Sequence, residues 1–575
     1  MQRPAKPALT CSYVGSSGEC GLRFETPQLL HRHLQETMHH YGPPSKDSVF
    51  VAHAITGAGV VEEVCRHMNT GQRSAVEEVI ATGRHTFIAG GAGTGKTVVL
   101  KALVSIVGRV FDENSVLVLT PTLMASMAAG PSATTLHSGL GIGRVGADVT
   151  ADVLVAAWMQ NVLPRLRPAL KSKKFLFIDE MWLGSNREMI LVFVAWYLTH
   201  MDGGCQVVCF GDAGQLHDWT QARVFTPDVR ATLPGAPWPM TTMGQQLNPL
   251  VFELTEVWRQ RDPLYLTALS DIRSGQPWKL GYSGFDVFKA NCSASHPRYN
   301  GLTDIVVSDG GQTREVLTLA AHDAGWICLV ATRAEAREGN AIRLQQAKER
   351  VLSRGHKWVE LTVTSRVSTY NLKTGSLIQT GDAADTADEY ASKTFWPGMF
   401  VSVAERVQAV TASGVPVDVP TRLIGKVDAV FGSTLSNANV VVTFPKSKYT
   451  PAFTHVFGAA GVDSDDITRG VKTRRTTIQL HEGGYMPIRG AQSLEFPKFS
   501  ADFWRVNGAP EFCRALIYAA TTRGTAFEGL LLLNMERGVN LANKHAIDWV
   551  TARAAETAQE IASRPGGKWT GTAGV

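Results

Sequence analysis

The most specific chemistry in the chain lies in eight residues. Gly90-Gly91-Ala92-Gly93-Thr94-Gly95-Lys96-Thr97 fits the spacing G-x-x-x-x-G-K-[ST]. It follows a β-rich run, Thr86–Ala89, and precedes an apolar helical run, Val98–Val104. The glycines let backbone N–H groups turn inward around phosphate oxygens, at the positive end of the coming helix. Lys96 places a point charge on the β/γ-phosphates, and Thr97 offers its hydroxyl to Mg²⁺. The plainer alternative is a glycine turn before a core helix, but every fixed position and the strand–loop–helix context agree with phosphate binding. Downstream, Phe175-Leu176-Phe177-Ile178-Asp179-Glu180 is an apolar strand ending in two acids. Asp179 would hold Mg²⁺ through its water shell, and Glu180 would orient and deprotonate the attacking water. Such a strand end by itself is often merely solvated. Downstream of a phosphate loop in the same sheet it reads as the hydrolytic pair.

These residues need a rigid frame, and the chain has the pattern for one. From about residue 60, helical stretches alternate with short β-rich runs at Thr86–Ala89, Val116–Thr120, Phe175–Ile178 and Val207–Phe210. That alternation predicts a parallel sheet wrapped by helices, and Ile327–Ala331 opens a second set of the same kind. Residues 379–393 are polar and acidic and read as an exposed loop. Residues 398–480 are rich in Val, Thr and Gly, with strand-like pieces at Met399–Val403, Lys426–Phe431 and Val440–Phe444, as in a small β-barrel. With 575 residues, three or four domains are expected. A net charge of +5 permits a nucleic-acid partner without demanding one. No membrane partner is expected, because the longest apolar run, Met189–Leu198, is too short to span a bilayer and reads as a buried helix. Eight scattered cysteines suggest no disulfide framework.

The order of further motifs resembles the Pif and RecD helicases of superfamily one, subfamily B. Residues 68–97, MNTGQRSAVEEVIATGRHTFIAGGAGTGKT, resemble the family's opening, which implies that Gln72 reads the adenine edge. Thr120-Pro121-Thr122, followed by Thr135, His137 and Ser138, looks like its pair of strand-contacting motifs. Gly211-Asp212-Ala213-Gly214-Gln215-Leu216 is similar to the third motif, where Gln215 would sense the γ-phosphate, although His217-Asp218 stands where prolines are common. Leu254–Gln260 resembles the fourth and Tyr518–Arg523 the sixth. Phosphoryl transfer develops charge that a guanidinium can stabilise, so Arg259 and Arg523 suit a nucleotide sandwiched between two α/β domains. The alternative is a pair of ordinary surface arginines in ion pairs. His137 also has two readings: a structural hydrogen-bonder in a Gly-rich loop, or, with Thr135 and Ser138 beside it, a contact to strand phosphate or base.

The fifth motif fits less well. The family has a His-Lys-Ser-Gln-Gly type sequence there, and this chain has Pro487-Ile488-Arg489-Gly490-Ala491-Gln492-Ser493-Leu494. Gln492 keeps its place as a strand contact, but Gly490 stands at the lysine position and Ser493 at the glycine position. Pro397–Val401 and Leu423–Val427 resemble the lead-in to the family's 2B barrel. A more distant likeness, over Asp179 to Met201, is to the helicase subunit of herpesvirus helicase–primase, which leaves a viral origin open. At the amino end, Cys11, Cys20, His33 and His39 resemble a two-Cys, two-His zinc finger, with Phe24 and Leu30 as a small core. The eight-residue knuckle is longer than usual, and a chance scatter in a tail is the alternative.

The expected fold is therefore α/β, with two RecA-like parallel-sheet domains, a small SH3-like β-barrel insert and an N-terminal zinc-finger-like module. The boundaries are 1–45 for the zinc module and 60–260 for domain 1A, with a short 1B excursion at about 140–172. Domain 2A follows over 261–560 with a 2B-type insert at about 425–482, and 561–575 forms a flexible tail. The resemblance implies ATP and Mg²⁺ as cofactors, with Zn²⁺ in the N-terminal module. It implies movement along single-stranded or tailed duplex DNA, 5′ to 3′, in replication, recombination or repair. Partners would be replication proteins such as a primase, and the place would be the nucleus, a host's if the origin is viral. Three rivals stand beside this reading: a degenerate helicase acting as a nucleotide-controlled scaffold, a viral RNA helicase, and a zinc-finger regulator with a vestigial motor.

Overall fold

The computed structural model describes short strand pairs between residues 9 and 24, then residues 58–143, 145, 149–200, 205–215, 249–274, 284–307, 313–382, 392–410, 414, 416–446, 450–492, 494, 496–504, 516–534 and 544–563. The chain divides into two units, residues 1–259 with 543–575, and residues 260–542.

The first unit is built on six strands: β1 (Thr86–Gly90), β2 (Val116–Thr120), β3 (Ala133–Thr135), β4 (Phe175–Ile178), β5 (Gln206–Gly211) and β6 (Leu250–Leu254). They pair in the order β6-β1-β5-β4-β2-β3, and every pairing is parallel. All residues of β1, β4 and β5 are buried, as strands covered on both faces must be. Helix α1 (Thr70–Thr82) starts on a capping box made by Asn69 and Gln72 and ends on Gly83 in the left-handed region. Helix α2 (Lys96–Val110) lays Val99, Leu100, Leu103, Ile106 and Val107 into the core at helical spacing. The run Met189–Leu198 lies inside a helix, Asn186–Thr199, with Met189, Leu191, Val192, Phe193, Val194 and Ala195 all buried. No helix among the described residues is long and apolar enough to cross a membrane.

One element departs from the expected boundaries. Helix α4 (Lys544–Ala562), expected in the second domain, belongs to the first unit. The Val251 N–H donates to Thr557 Oγ1 at 3.0 Å, Arg553 donates to the Pro249 carbonyl at 3.2 Å, and Arg84 pairs with Glu560. Ile561 is fully buried in the core under β6, worth about 1.5–3 kcal/mol for a side chain of this size.

The second unit has a parallel sheet of four strands: β7 (Ile327–Val330), β8 (Tyr485–Pro487), β9 (Phe499–Asp502) and β10 (Leu530–Leu533), in the order β8-β7-β9-β10. Helix Leu516–Thr521, called α3, precedes β10. Arg314 and Asp502, each 1% exposed at the side chain, form an ion pair at 2.9 Å under this sheet. Between β7 and β8 lies the insert. Its strands run from Leu361–Thr364 to Leu480–Glu482, well before the expected start at about 425. Eight of them form one antiparallel sheet around Phe395, Val401, Val442, Phe444 and Ile478. The expected loop at 379–393 is partly sheet, since Leu377–Asp382 and Ser392–Phe395 are strands.

Candidate nucleotide site and strand edge

In the first unit the candidate residues follow the carboxyl ends of five parallel strands, the edge where such sheets take ligands. The phosphate loop follows β1, Thr120 ends β2, Thr135 ends β3, Asp179 and Glu180 follow β4, and Gln215 lies just past β5.

The loop is shaped for an anion. Gly93 and Gly95 have φ of 80° and 87°. A Cβ on Gly95 would lie 2.2 Å from Gln72 Nε2, so a larger residue would strain the backbone and push the Gln72 amide off the loop. Lys96 is 8% exposed, and its ammonium donates to the carbonyls of Gly90 at 2.9 Å and Gly91 at 3.1 Å. Thr94 Oγ1 donates to the Gly91 carbonyl at 2.9 Å. Gly90, Ala92 and Thr97 complete the loop, with Thr97 in the first turn of α2.

Gln72 is buried against this loop. Its Nε2 donates to the Thr94 carbonyl at 3.0 Å, and its Oε1 accepts from the Asn69 N–H at 3.3 Å. Here the amide ties α1 to the loop, and reading an adenine edge would call on its remaining valences. Two supports escaped the sequence reading. Asn69 Nδ2 donates to Glu256 at 2.8 Å, and the Trp258 N–H donates to the Gly93 carbonyl at 2.9 Å. For the first, the Asn-x-x-Gln capping spacing could have singled out Asn69 but not its partner Glu256, 187 positions away. The second is a backbone contact with no such signal. Arg259 follows directly, so the fourth motif's arginine sits beside a residue bonded to the phosphate loop.

Asp179 is 3% exposed and accepts from the Glu180 N–H at 2.9 Å. Burial, then the charge of Glu180, push its carboxyl up to about 7, while Lys96 pulls it down. Two adjacent acids in so dry a place suit a divalent cation, which would restore the charged form. Asp179 and the Thr97 hydroxyl are the residues that would hold Mg²⁺, which when bound supplies charge neutralisation on the phosphates. Glu180 has φ 49°, the left-handed region, at the turn out of β4. Gln215 is 4% exposed, and its Nε2 donates to Asp212 Oδ2 at 3.4 Å.

The strand-motif residues are engaged in capping. Thr122 Oγ1 accepts from the Ala125 N–H at 3.2 Å, and Thr135 Oγ1 from the Ser138 N–H at 3.2 Å. Thr120 Oγ1 donates to the Thr122 carbonyl at 2.8 Å, across Pro121. His137 bonds through both ring nitrogens, to the Gly143 carbonyl at 2.6 Å and to Glu188 at 2.8 Å. Burial would pull its pKa down, but Glu188 and Gly143 outweigh it and raise it. Of the two readings, these bonds carry the structural one, and a strand contact would have to displace one of them.

In the second unit Arg523 is 3% exposed. It donates to the Ala519 carbonyl at 3.1 Å and to Thr522 Oγ1 at 2.8 Å, with a longer reach of 3.5 Å to the Leu494 carbonyl. It is not the solvated surface arginine of the alternative reading. Gln492 is 1% exposed. The four zinc candidates, Cys11, Cys20, His33 and His39, lie outside the described residues, as do His217 and Asp218.

Fold and site together define a P-loop nucleotide-binding protein on two RecA-like α/β domains. A family model described as an AAA domain matches residues 67–283. The ATP-dependent DNA helicase PIF1 of Xenopus laevis is 31% identical over 209 residues, 36% of this chain and 30% of that protein. The ATP-dependent DNA helicase RRM3 of Saccharomyces cerevisiae is 28% identical over 211 residues, 36% of this chain and 27% of its own length. The matched segment thus spans less than a third of these relatives. Among solved structures, Pif1 helicase from Candida albicans superposes with a TM-score of 0.60 at 17% identity, over 84% of this chain and 99% of that one. Bacteroides Pif1 bound to ssDNA gives 0.52 at 18% identity, over 85% and 97%. At such identities the structures speak for the fold. The chain thus resembles Pif1 helicases over about a third of its sequence, 36%, and in its fold.

Proposed function

We propose that the chain is an ATP-dependent DNA helicase that moves along single-stranded DNA 5′ to 3′. The observation that carries this is the shared sheet edge: the phosphate loop, Asp179, Glu180 and Gln215 lie on the same edge as the Thr120 and Thr135 strand ends. Nucleotide state and strand grip can then be coupled through a few ångströms of loop movement. A relative named as an ATP-dependent DNA helicase and a fold neighbour titled as bound to ssDNA support the substrate. Single-turnover unwinding of 5′-tailed against 3′-tailed duplexes tests the reading. Separation of neither would sink it, and separation of only the 3′-tailed duplex would reverse the polarity.

A second reading has one observation in its favour, the glycine at 490 in place of a lysine. A nucleotide-controlled scaffold would show strand-stimulated hydrolysis without duplex separation. Stimulation by RNA over DNA would instead favour an RNA helicase. The setting we propose is replication, recombination or repair in the nucleus, with replication proteins such as a primase as partners. We also propose that part of the insert is an SH3-like barrel.

Arg523 belongs to the same proposal. If its guanidinium meets the transferring phosphoryl group, Arg523→Ala should lower turnover about 10³-fold, the lower end for arginine fingers, since Arg259 remains. ATP affinity should move far less. Arg523→Lys should rescue poorly, because an ammonium lacks the planar fork. Equal losses in affinity and turnover would instead make Arg523 a clasp on the Leu494 loop.

We also propose zinc at Cys11, Cys20, His33 and His39, in a module too small to fold on apolar burial alone. Deleting residues 1–45 should leave ATPase activity nearly intact and remove the zinc. Stoichiometric zinc in the truncated protein would place the ligands elsewhere.

A further inference from the structure

The loop after β8 has Gly490 where the resembling family carries a lysine, and the structure brings a cation to that spot from the insert. Arg422 Nη1 donates to the Gly490 carbonyl at 2.5 Å, across 68 positions of sequence. A Cβ on Gly490 would lie 3.9 Å from the same Nη1. The guanidinium therefore lies beside the path that a side chain at 490 would take from the backbone. Arg422 has φ 64°, a region that a non-glycine residue enters at a cost of about 1–3 kcal/mol. Its own N–H holds that geometry by donating to the Val403 carbonyl at 2.6 Å.

Two further observations mark the neighbourhood. Gln492, two residues on, is 1% exposed, and neither its Oε1 nor its Nε2 has a hydrogen-bond partner among the described residues. A buried amide left this way is costly unless something else satisfies it. Arg333, in the first turn after β7, shares the area with Arg422. Both add to the positive field on His481, whose imidazole is pushed down to about 3 by burial first, then by Lys393, Arg422, Arg333 and Arg475.

We propose that Arg422 makes a strand-phosphate contact at the place where the resembling family carries a lysine. Its guanidinium, oriented by the Gly490 carbonyl, meets one backbone phosphate of single-stranded DNA. The contact ties the insert directly to the fifth-motif loop, so the glycine at 490 does not by itself mark a degenerate motor. This rests on the helicase reading above.

The test is salt-dependent binding of a fluorescent oligothymidylate to the full chain. Arg422→Gln retains an N–H for the Gly490 carbonyl and removes the charge. Its slope of log K against log salt should be shallower by about 0.7, the value for one phosphate contact on a single strand. Arg422→Lys should keep the wild-type slope. Gly490 has no left-handed φ, and a Cβ there would make only ordinary contacts at 3.9 Å, so it accepts a side chain. Arg422→Gln with Gly490→Lys should restore the slope, and Arg422→Gln with Gly490→Ala should not. A wild-type slope in a folded Arg422→Gln protein would overturn the proposal, as would equal rescue by Gly490→Ala. If the wild-type chain binds no strand, the helicase reading fails first and takes this one with it.

Discussion

Lys96→Ala is expected to abolish ATP hydrolysis, with and without a DNA strand, while the protein stays folded. Lys96 is 8% exposed, and among the described residues its ammonium donates to the carbonyls of Gly90 and Gly91. It packs no core. On the phosphate-loop reading the same charge would meet the β/γ-phosphates, and residues 90–97 hold no second cationic side chain to replace it. Removing one preorganised donor from developing charge typically costs about 10²–10³-fold, and here a full charge goes as well. The loop carbonyls it leaves can turn to water, so melting should shift by only a few degrees, as expected for a loss on the order of 1 kcal/mol. Turnover measured with and without oligonucleotide, beside a melting curve, separates the effects. Persistent strand-stimulated turnover would sink the phosphate-loop assignment, and an unfolded variant would make Lys96 a structural residue.

What could be read in advance was what local chemistry dictates. A buried parallel strand must be apolar throughout, so β1, β2, β4 and β5 stood out, and the residues at their carboxyl ends followed. The insert was harder. Its second and third strands, Arg366–Asn371 and Leu377–Asp382, are polar and have no fully buried residue among those described, so no period-two pattern betrays them. They exist because each pairs with a neighbour in the sheet, a long-range fact. Helix α4 was assigned to the second domain for a similar reason. Its pattern predicts a helix, but long-range contacts such as those of Thr557 and Trp549 say which core it joins, with Trp549 and Phe87 6.2 Å apart. The Arg422–Gly490 pairing was out of reach too, because a substitution at one motif position does not announce where its replacement comes from. His137 shows the converse: the motif drew attention to it, and Glu188, 51 residues away, holds its ring.

Glu180→Gln should leave nucleotide binding intact and remove hydrolysis. The residue sits in the left-handed region at φ 49° and ψ 40°, at the turn out of β4. Glutamine has the same shape and meets the same backbone cost, so the turn should survive. The Glu180 N–H that donates to Asp179 is also unchanged. The charge of Glu180 is one cause of the raised Asp179 pKa. Neutralising it lowers that pKa, so Asp179 is more readily ionised near neutral pH, which offsets the attraction for Mg²⁺ lost with the Glu180 charge. What disappears, on the proposed reading, is the base that would orient and deprotonate water. A positioned base contributes about 10²–10⁴-fold, and the upper end is expected because Asp179 is committed to the cation and cannot take over. The variant should then bind ATP and a DNA strand and hold both without turnover. Nucleotide affinity by equilibrium titration and single-turnover hydrolysis on the same preparation decide it. Loss of ATP binding along with hydrolysis would make Glu180 a structural residue of the turn, and retained turnover would place the base elsewhere.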